Sequence, residues 1–164
     1  MRSGAETTVR TEISPGDVGE IVRMHGVLYA REYGFDPTFQ AYVAEPLARF
    51  AIAASPRERL WIAERDGRIV GSIAIVAATP DVAQLRWFLV DPSARGRGLG
   101  GRLLDEAIAF SREKGYRSIV LWTVSALVGA ARLYLARGFV PTEEKPGRLW
   151  GADVVEERYE LLLG

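Results

Sequence analysis

Seven consecutive residues near the middle of the chain, Arg95-Gly96-Arg97-Gly98-Leu99-Gly100-Gly101, combine bare backbone with guanidinium charge. The glycines leave N–H groups uncovered by side chains. The spacing of Leu99, Leu103, Leu104, Ala107, Ile108 and Phe110 predicts a helix that starts directly after them. The first turn of a helix carries N–H groups without intrahelical partners and the positive end of the helix dipole. Glycines opening into such a turn suit a phosphate. Arg95, Arg97 and Arg102 add formal charge at the same place, so the implied chemistry is capture of a small anionic group.

Three phosphate-loop patterns can be compared with this stretch. The nucleoside-triphosphate loop ends in Gly-Lys-Ser/Thr, which Gly100-Gly101-Arg102 lacks. Gly96, Gly98 and Gly101 satisfy Gly-x-Gly-x-x-Gly formally. That dinucleotide fingerprint also needs an acidic residue about 20 positions on, where this chain has Leu121-Trp122-Thr123. The third pattern is Arg-x-x-Gly-x-Gly, met by Arg95, Gly98 and Gly100 after an apolar run ending in Val90-Asp91-Pro92. A plain glycine turn with solvated arginines is the bland alternative.

The elements that must position this loop follow from periodicity and punctuation. Thr7 to Ile13 alternates as a strand, and Ser14-Pro15-Gly16-Asp17 breaks it and offers helix caps. Val18, Ile21, Val22, Met24, His25, Leu28 and Tyr29 predict a helix to about Tyr33, ended by Gly34. Asp36-Pro37 restarts a helix with apolar face Phe39, Tyr42, Val43, Leu47, Phe50 and Ala51, and Pro46 is expected to kink or break it. Arg59–Arg65 and Ile69–Ala78 read as strands joined by an Asp66-Gly67 hairpin turn. Ala83–Val90 is the strand before the loop, and Arg86 shares a face with Gln84 and Phe88 if pairing is regular. Gly115 ends the helix after the loop. Ser118–Trp122 is an apolar central strand, and Leu127–Arg137 a helix ended by Gly138. Phe139-Val140 opens a strand, Glu143–Asp153 reads as a polar loop, and Val154–Leu163 as the last strand.

The loop pattern, together with Ala130-Ala131-Arg132-Leu133-Tyr134-Leu135-Ala136-Arg137-Gly138-Phe139, resembles the GNAT (Gcn5-related) N-acetyltransferase superfamily, from Thr8 to Leu163. His25-Gly26-Val27-Leu28-Tyr29-Ala30-Arg31-Glu32-Tyr33-Gly34 resembles the acetyltransferase domain found fused to MarR-type regulators, here standing alone. The resemblance implies an α+β GNAT fold: a mixed, mostly antiparallel twisted sheet of about seven strands flanked by four helices, as one domain over residues 1–164.

It also implies acetyl-CoA as cosubstrate and direct transfer of acetyl to a primary amine of a small molecule or peptide. Arg95, Gly96, Arg97, Gly98, Leu99, Gly100 and Gly101 would hold the pyrophosphate. The backbone of Phe88, Leu89 and Val90 would meet the pantetheine arm. Ser125 would stand in for an asparagine that many members carry after the central strand, and Tyr134 would assist departure of the thiolate. A non-catalytic acyl-CoA-binding sensor or interaction module is the rival from another class, and a nicotinamide-dependent oxidoreductase the third.

The general base stays open. A glutamate used by histone-acetylating relatives falls at Gln84, whose amide takes no proton in the useful range. His25, Glu32 and Glu45, on the two helices expected to roof the acceptor, are the candidates: His25 has a suitable intrinsic pKa, and burial would raise that of Glu45, whose bland alternative is a solvated helix charge. Tyr29, Tyr33 and Trp150 are candidates for the acceptor wall, and Arg86 either binds an acceptor carboxylate or pairs with a neighbouring acid.

Composition sets bounds. The 164 residues balance 21 Lys+Arg against 21 Asp+Glu, which points away from nucleic acid. Cys 0 and His 1 exclude a disulfide, a thiolate site, a cysteine nucleophile and a multi-histidine metal site. No apolar run of membrane length and no signal-peptide pattern are present, so a cytoplasmic setting without membrane contact is expected. The last strands are available to pair across a homodimer.

Overall fold

The computed structural model describes residues 5–164. The domain expected over 1–164 therefore takes in residues 1–4, which lie outside the described residues. In chain order the elements are β1 (Thr8–Arg10), α1 (Asp17–Tyr33), α2 (Pro37–Ala53), β2 (Arg59–Arg65), β3 (Arg68–Ala77), β4 (Val82–Val90), a 3-10 turn at Pro92–Ala94, α3 (Leu99–Glu113), β5 (Ser118–Val124), α4 (Val128–Ala136), β6 (Val140–Leu149) and β7 (Ala152–Leu162). One seven-stranded sheet runs β1-β2-β3-β4-β5-β7-β6. Only β4 and β5 are parallel. This is the mixed α+β architecture expected from the element order. Among the described residues no helix is long and apolar enough to cross a membrane.

Two apolar layers sandwich the sheet. On one face Leu103, Leu104, Ala107 and Phe110 of α3 pack on Trp61, Ile73, Ile75, Leu85, Ile119 and Leu121, with Tyr134 and Phe139 closing the end. On the other, Ile21, Phe39, Val43, Leu47 and Phe50 of α1 and α2 cover Leu60, Ile62, Ala74, Trp87 and Val124. Each such side chain contributes on the order of 1.5–3 kcal/mol by leaving water.

The α2 helix runs unbroken through Pro46, against the break expected there. Its apolar face on both sides of the proline is buried, and that packing outweighs one lost backbone bond. The expected Glu143–Asp153 loop is also corrected, because those residues belong to a long β6–β7 hairpin paired from Val140↔Glu160 to Leu149↔Ala152. β6 is the outer edge of the sheet and is exposed along nearly all its length. It therefore shows no apolar alternation, and an edge tolerates Pro141 and Pro146. The last strand, β7, lies between β5 and β6, so at that end of the sheet the edge is β6.

β4 carries a bulge. Ala74 pairs with Arg86 and Ser72 with Leu89, so Trp87 and Phe88 together oppose Ile73. Trp87 adopts φ 49°, and its carbonyl accepts the buried Ser72 hydroxyl at 2.7 Å. The extra residue reverses which side chains face which layer. Ala83 and Leu85 face α3 before the bulge, and Phe88 and Val90 face it afterwards. The expectation that Arg86, Gln84 and Phe88 share a face fails for Phe88 for this reason. The guanidinium of Arg86 lies instead over the rings of Trp87 and Tyr42, on the α1–α2 side.

Candidate active site

The parallel ladder between β4 and β5 consists of Val82↔Ser118, Ala83↔Ile119 and Gln84↔Val120. Beyond it β5 stays paired with β7 to Val124, while β4 continues to Val90 on its β3 side alone. A wedge opens between the strands, and the β5-facing edge of β4 offers backbone groups without a ladder partner. Two cavities occupy this wedge and share Tyr29, Phe88, Leu127 and Ala130 in their walls.

The first cavity, about 460 Å³, is bounded by Phe88, Leu89, Val90, Arg95, Gly96, Gly98, Leu99, Gly100 and Gly101. Gly98, at φ 78°, is the N-cap of α3 and supplies no side-chain cap. That left-handed conformation disfavours any residue with a Cβ. The first-turn N–H groups of α3 are thus left for a ligand. At Gly100 an added Cβ would lie 3.1 Å from Leu133 Cδ1 and 3.7 Å from Val90 Cγ2, so glycine keeps the wall open.

Arg95 Nε donates to the Val90 carbonyl at 3.0 Å, and its Nη1 lies 2.9 Å from Glu32. The Val90 carbonyl, expected to meet a pantetheine arm, therefore already accepts a guanidinium. Arg97 is exposed and lies outside the walls of this cavity. Ser125 belongs to a neighbouring groove, where its N–H donates to Val155.

The second cavity, about 130 Å³, lies on the α1–α2 side. Its walls include Tyr29, Phe35, Phe39, Tyr42 and Trp150, with Gln84, Arg86, Trp122, Tyr134 and Glu156. The Trp150 ring centroid lies 5.0 Å from that of Phe35 in a tilted contact and 5.0 Å from that of Phe39 in an edge-on one. It adopts φ 53° with Gly151 at φ 74°, a two-residue hairpin turn with both positions left-handed. The Trp150 carbonyl accepts the Asp36 N–H at 2.9 Å, which ties that turn to the α1–α2 junction. Both tryptophans with positive φ, Trp87 and Trp150, line this one cavity. Strained backbone of this kind concentrates at functional sites.

Tyr134 is buried, and burial, reinforced by Tyr29 and Tyr159, pushes its phenol far above the usual range. It keeps its proton at neutral pH and can donate it. His25 is 3% exposed; its Nδ1–H donates to the Ile21 carbonyl at 2.8 Å, which leaves Nε2 as the bare nitrogen. That nitrogen is sealed from solvent without a partner, and burial lowers the imidazole to about 4. The ring therefore lines the cavity while its lone pair does not open into it.

Glu45 is corrected. Its side chain is 71% exposed, pairs with Arg49 and lies outside both cavities, because it falls on the solvent side of α2. Glu32 is held at the loop end by Arg95. Glu156, which the sequence reading missed, is the one carboxylate of the second cavity. Among the described residues no ion pair or hydrogen bond occupies its side chain. Its only signal in the sequence is a place on the inward-facing alternation of β7, with Val154.

Residues 27–139 match the family model for the acetyltransferase (GNAT) family. An uncharacterized N-acetyltransferase of Schizosaccharomyces pombe is 34% identical over 121 residues, covering 70% of this chain and 72% of that one. N-acetyltransferase 8B of Rattus norvegicus is 33% identical over 96 residues, covering 55% of this chain and 43% of that one, so the chain spans under half of this longer relative. An acetyltransferase of Salmonella typhimurium, solved with its cofactor acetyl-CoA, superposes with a TM-score of 0.78 at 19% identity, covering 96% of this chain and 94% of that one.

Proposed function

The chain belongs to the acetyltransferase (GNAT) family, and on that premise we propose that it transfers the acetyl group of acetyl-CoA directly to the primary amine of a small molecule. The observation that carries the reading is the wedge between β4 and β5. It joins a phosphate-ready helix start to an aromatic pocket, with Tyr29 and Phe88 at the junction. The α1 segment His25–Gly34, which carries the resemblance to the domain fused to MarR-type regulators, contributes Tyr29 to both cavities.

Acetyl-CoA supplies a thioester carbonyl open to a neutral amine, with a thiolate as leaving group. The residues present fit it. The N–H groups of Leu99, Gly100 and Gly101, with Arg95, hold the diphosphate. The unpaired edge of β4 at Phe88–Val90 offers backbone groups to the amides of the arm. Glu156 receives the proton that the acceptor ammonium must lose before it can attack. Tyr134, kept neutral by burial, donates a hydrogen bond from its hydroxyl to the departing sulfur.

A panel of primary amines incubated with acetyl-CoA tests this, read by free-thiol release and product mass. Acetylated amine with equimolar thiol is expected. Thiol release absent with every amine overturns the proposal.

A further inference from the structure

The second cavity holds two opposite charges that the fold leaves uncompensated. Among the described residues neither Arg86 nor Glu156 has an ion pair or a side-chain hydrogen bond, yet both line one cavity and neither is freely exposed. Two other arginines of the sheet, Arg10 and Arg158, behave differently. Arg10 is committed to Asp17 and Glu64, and Arg158 to Glu143 and Glu160. The Arg86 guanidinium is instead supported by ring faces, 5.1 Å from the Trp87 centroid and 5.9 Å from that of Tyr42. Ring faces orient a cation and leave its N–H donors unused.

Arg86 stands just before the bulge and shares the α1–α2 side with Gln84, opposite Ala83 and Leu85; the bulge at Trp87, secured by Ser72, turns Phe88 to the α3 side. Phe35, Phe39, Tyr42 and Trp150 form an aromatic side of the wall, with Gln84 and Thr123 as uncharged polar members elsewhere on it. The volume, about 130 Å³, fits a small molecule.

A cation with free donors, a carboxylate with free acceptors and an aromatic wall describe the complement of a zwitterion with an apolar body. We propose that the acceptor is a free α-amino acid with an apolar side chain. Its carboxylate pairs with Arg86, its ammonium meets Glu156, and its side chain lies among the rings. This rests on the acetyltransferase reading. The transfer balances: the ammonium gives one proton to Glu156, the amine nitrogen bonds the acetyl carbon as the carbon–sulfur bond breaks, the sulfur leaves as a thiolate hydrogen-bonded by the Tyr134 hydroxyl, and the second proton of the acylated nitrogen passes through solvent to that sulfur. The products are an N-acetylamino acid and CoA. Arg86 acts as a specificity residue, since it grips a group remote from the bonds that change.

Matched pairs test the proposal: leucine against isopentylamine, methionine against 3-(methylthio)propylamine, phenylalanine against 2-phenylethylamine. Each amine is its amino acid without the carboxylate. For the wild-type protein kcat/KM should favour the amino acid by about ten- to hundredfold, the scale of one charge-assisted pair. Arg86→Gln should bring the ratio close to one, mainly through KM, and Arg86→Lys should restore part of it. A wild-type ratio near one, or a preference that survives Arg86→Gln, overturns the proposal. Calorimetric binding of the same pairs to the CoA-loaded protein separates the two levels. Discrimination in binding without any transfer supports the amino-acid site and overturns the transferase reading. Equal binding within each pair overturns the amino-acid site whether or not transfer occurs.

Discussion

Arg95 and Glu32 form a 2.9 Å ion pair across the wall of the phosphate-side cavity. The same guanidinium donates to the Val90 carbonyl, so one side chain ties α1, the end of β4 and the loop together. Its charge is partly neutralised by a carboxylate before any ligand arrives. Glu32→Gln removes that competitor. CoA should then bind up to about fivefold more tightly, the scale of a half-exposed pair worth ~1 kcal/mol. Titration calorimetry checks this, and weaker binding would mean that Glu32 serves to position Arg95.

Gly98 separates strain from charge. At φ 78° any L side chain is strained, so Gly98→Ala should lose about 1 kcal/mol of stability and part of its CoA affinity. Gly98→Glu adds bulk and a negative charge against the first turn of α3, and binding should vanish. Unchanged binding by Gly98→Glu would remove the loop from the cofactor site.

Tyr134→Phe keeps the ring contacts with Phe139 and Tyr159 and deletes the donor. Turnover should fall roughly 10²-fold, with CoA affinity altered little. Because burial holds the wild-type phenol well above its usual range, activity should show no alkaline loss assignable to Tyr134 below pH 10. An unchanged kcat in the variant would return Tyr134 to a packing role.

His25 predicts an acid limb in stability. The folded imidazole stays neutral down to about 4, whereas the unfolded one takes a proton near 6.5. Between those values the unfolded chain binds more protons, so stability rises with pH across the window and is lost as pH falls through it. The loss approaches about 3 kcal/mol by pH 4 and levels off below. Asp17, held below the ordinary carboxylate range by Arg10, loses its contribution only at more acid pH. Urea melts at pH 7.5, 5.5 and 4 should show the slope, and His25→Met should flatten it above pH 4.5.

What was legible in the sequence was local. The loop, the α3 periodicity and the Asp66-Gly67 turn each announce themselves within about ten residues, and each stands where expected, with Asp66 at φ 53° and Gly67 at φ 72°. What was hidden depends on pairing between distant residues. Nothing in Arg86-Trp87-Phe88 marks a bulge; its partner is a hydroxyl fifteen positions upstream, at Ser72. β6 is polar because an edge strand need not bury either face. Glu156 enters the cavity only through its register with Val124 on β5. The three helical candidates for a base are each otherwise engaged. Glu32 is claimed by Arg95, Glu45 by solvent, and His25 is enclosed.

Among the described residues the backbone stitching between a four-strand leaf and a three-strand leaf is short: the three rungs between Val82–Gln84 and Ser118–Val120, and beside them the Arg117 N–H donated to the Asp81 carbonyl. So short a seam leaves the width of the gap to side-chain packing: Leu85 of one leaf and Ile119 and Leu121 of the other lie in a single apolar layer beneath α3, and that layer, more than the ladder, sets how far apart the strands stand.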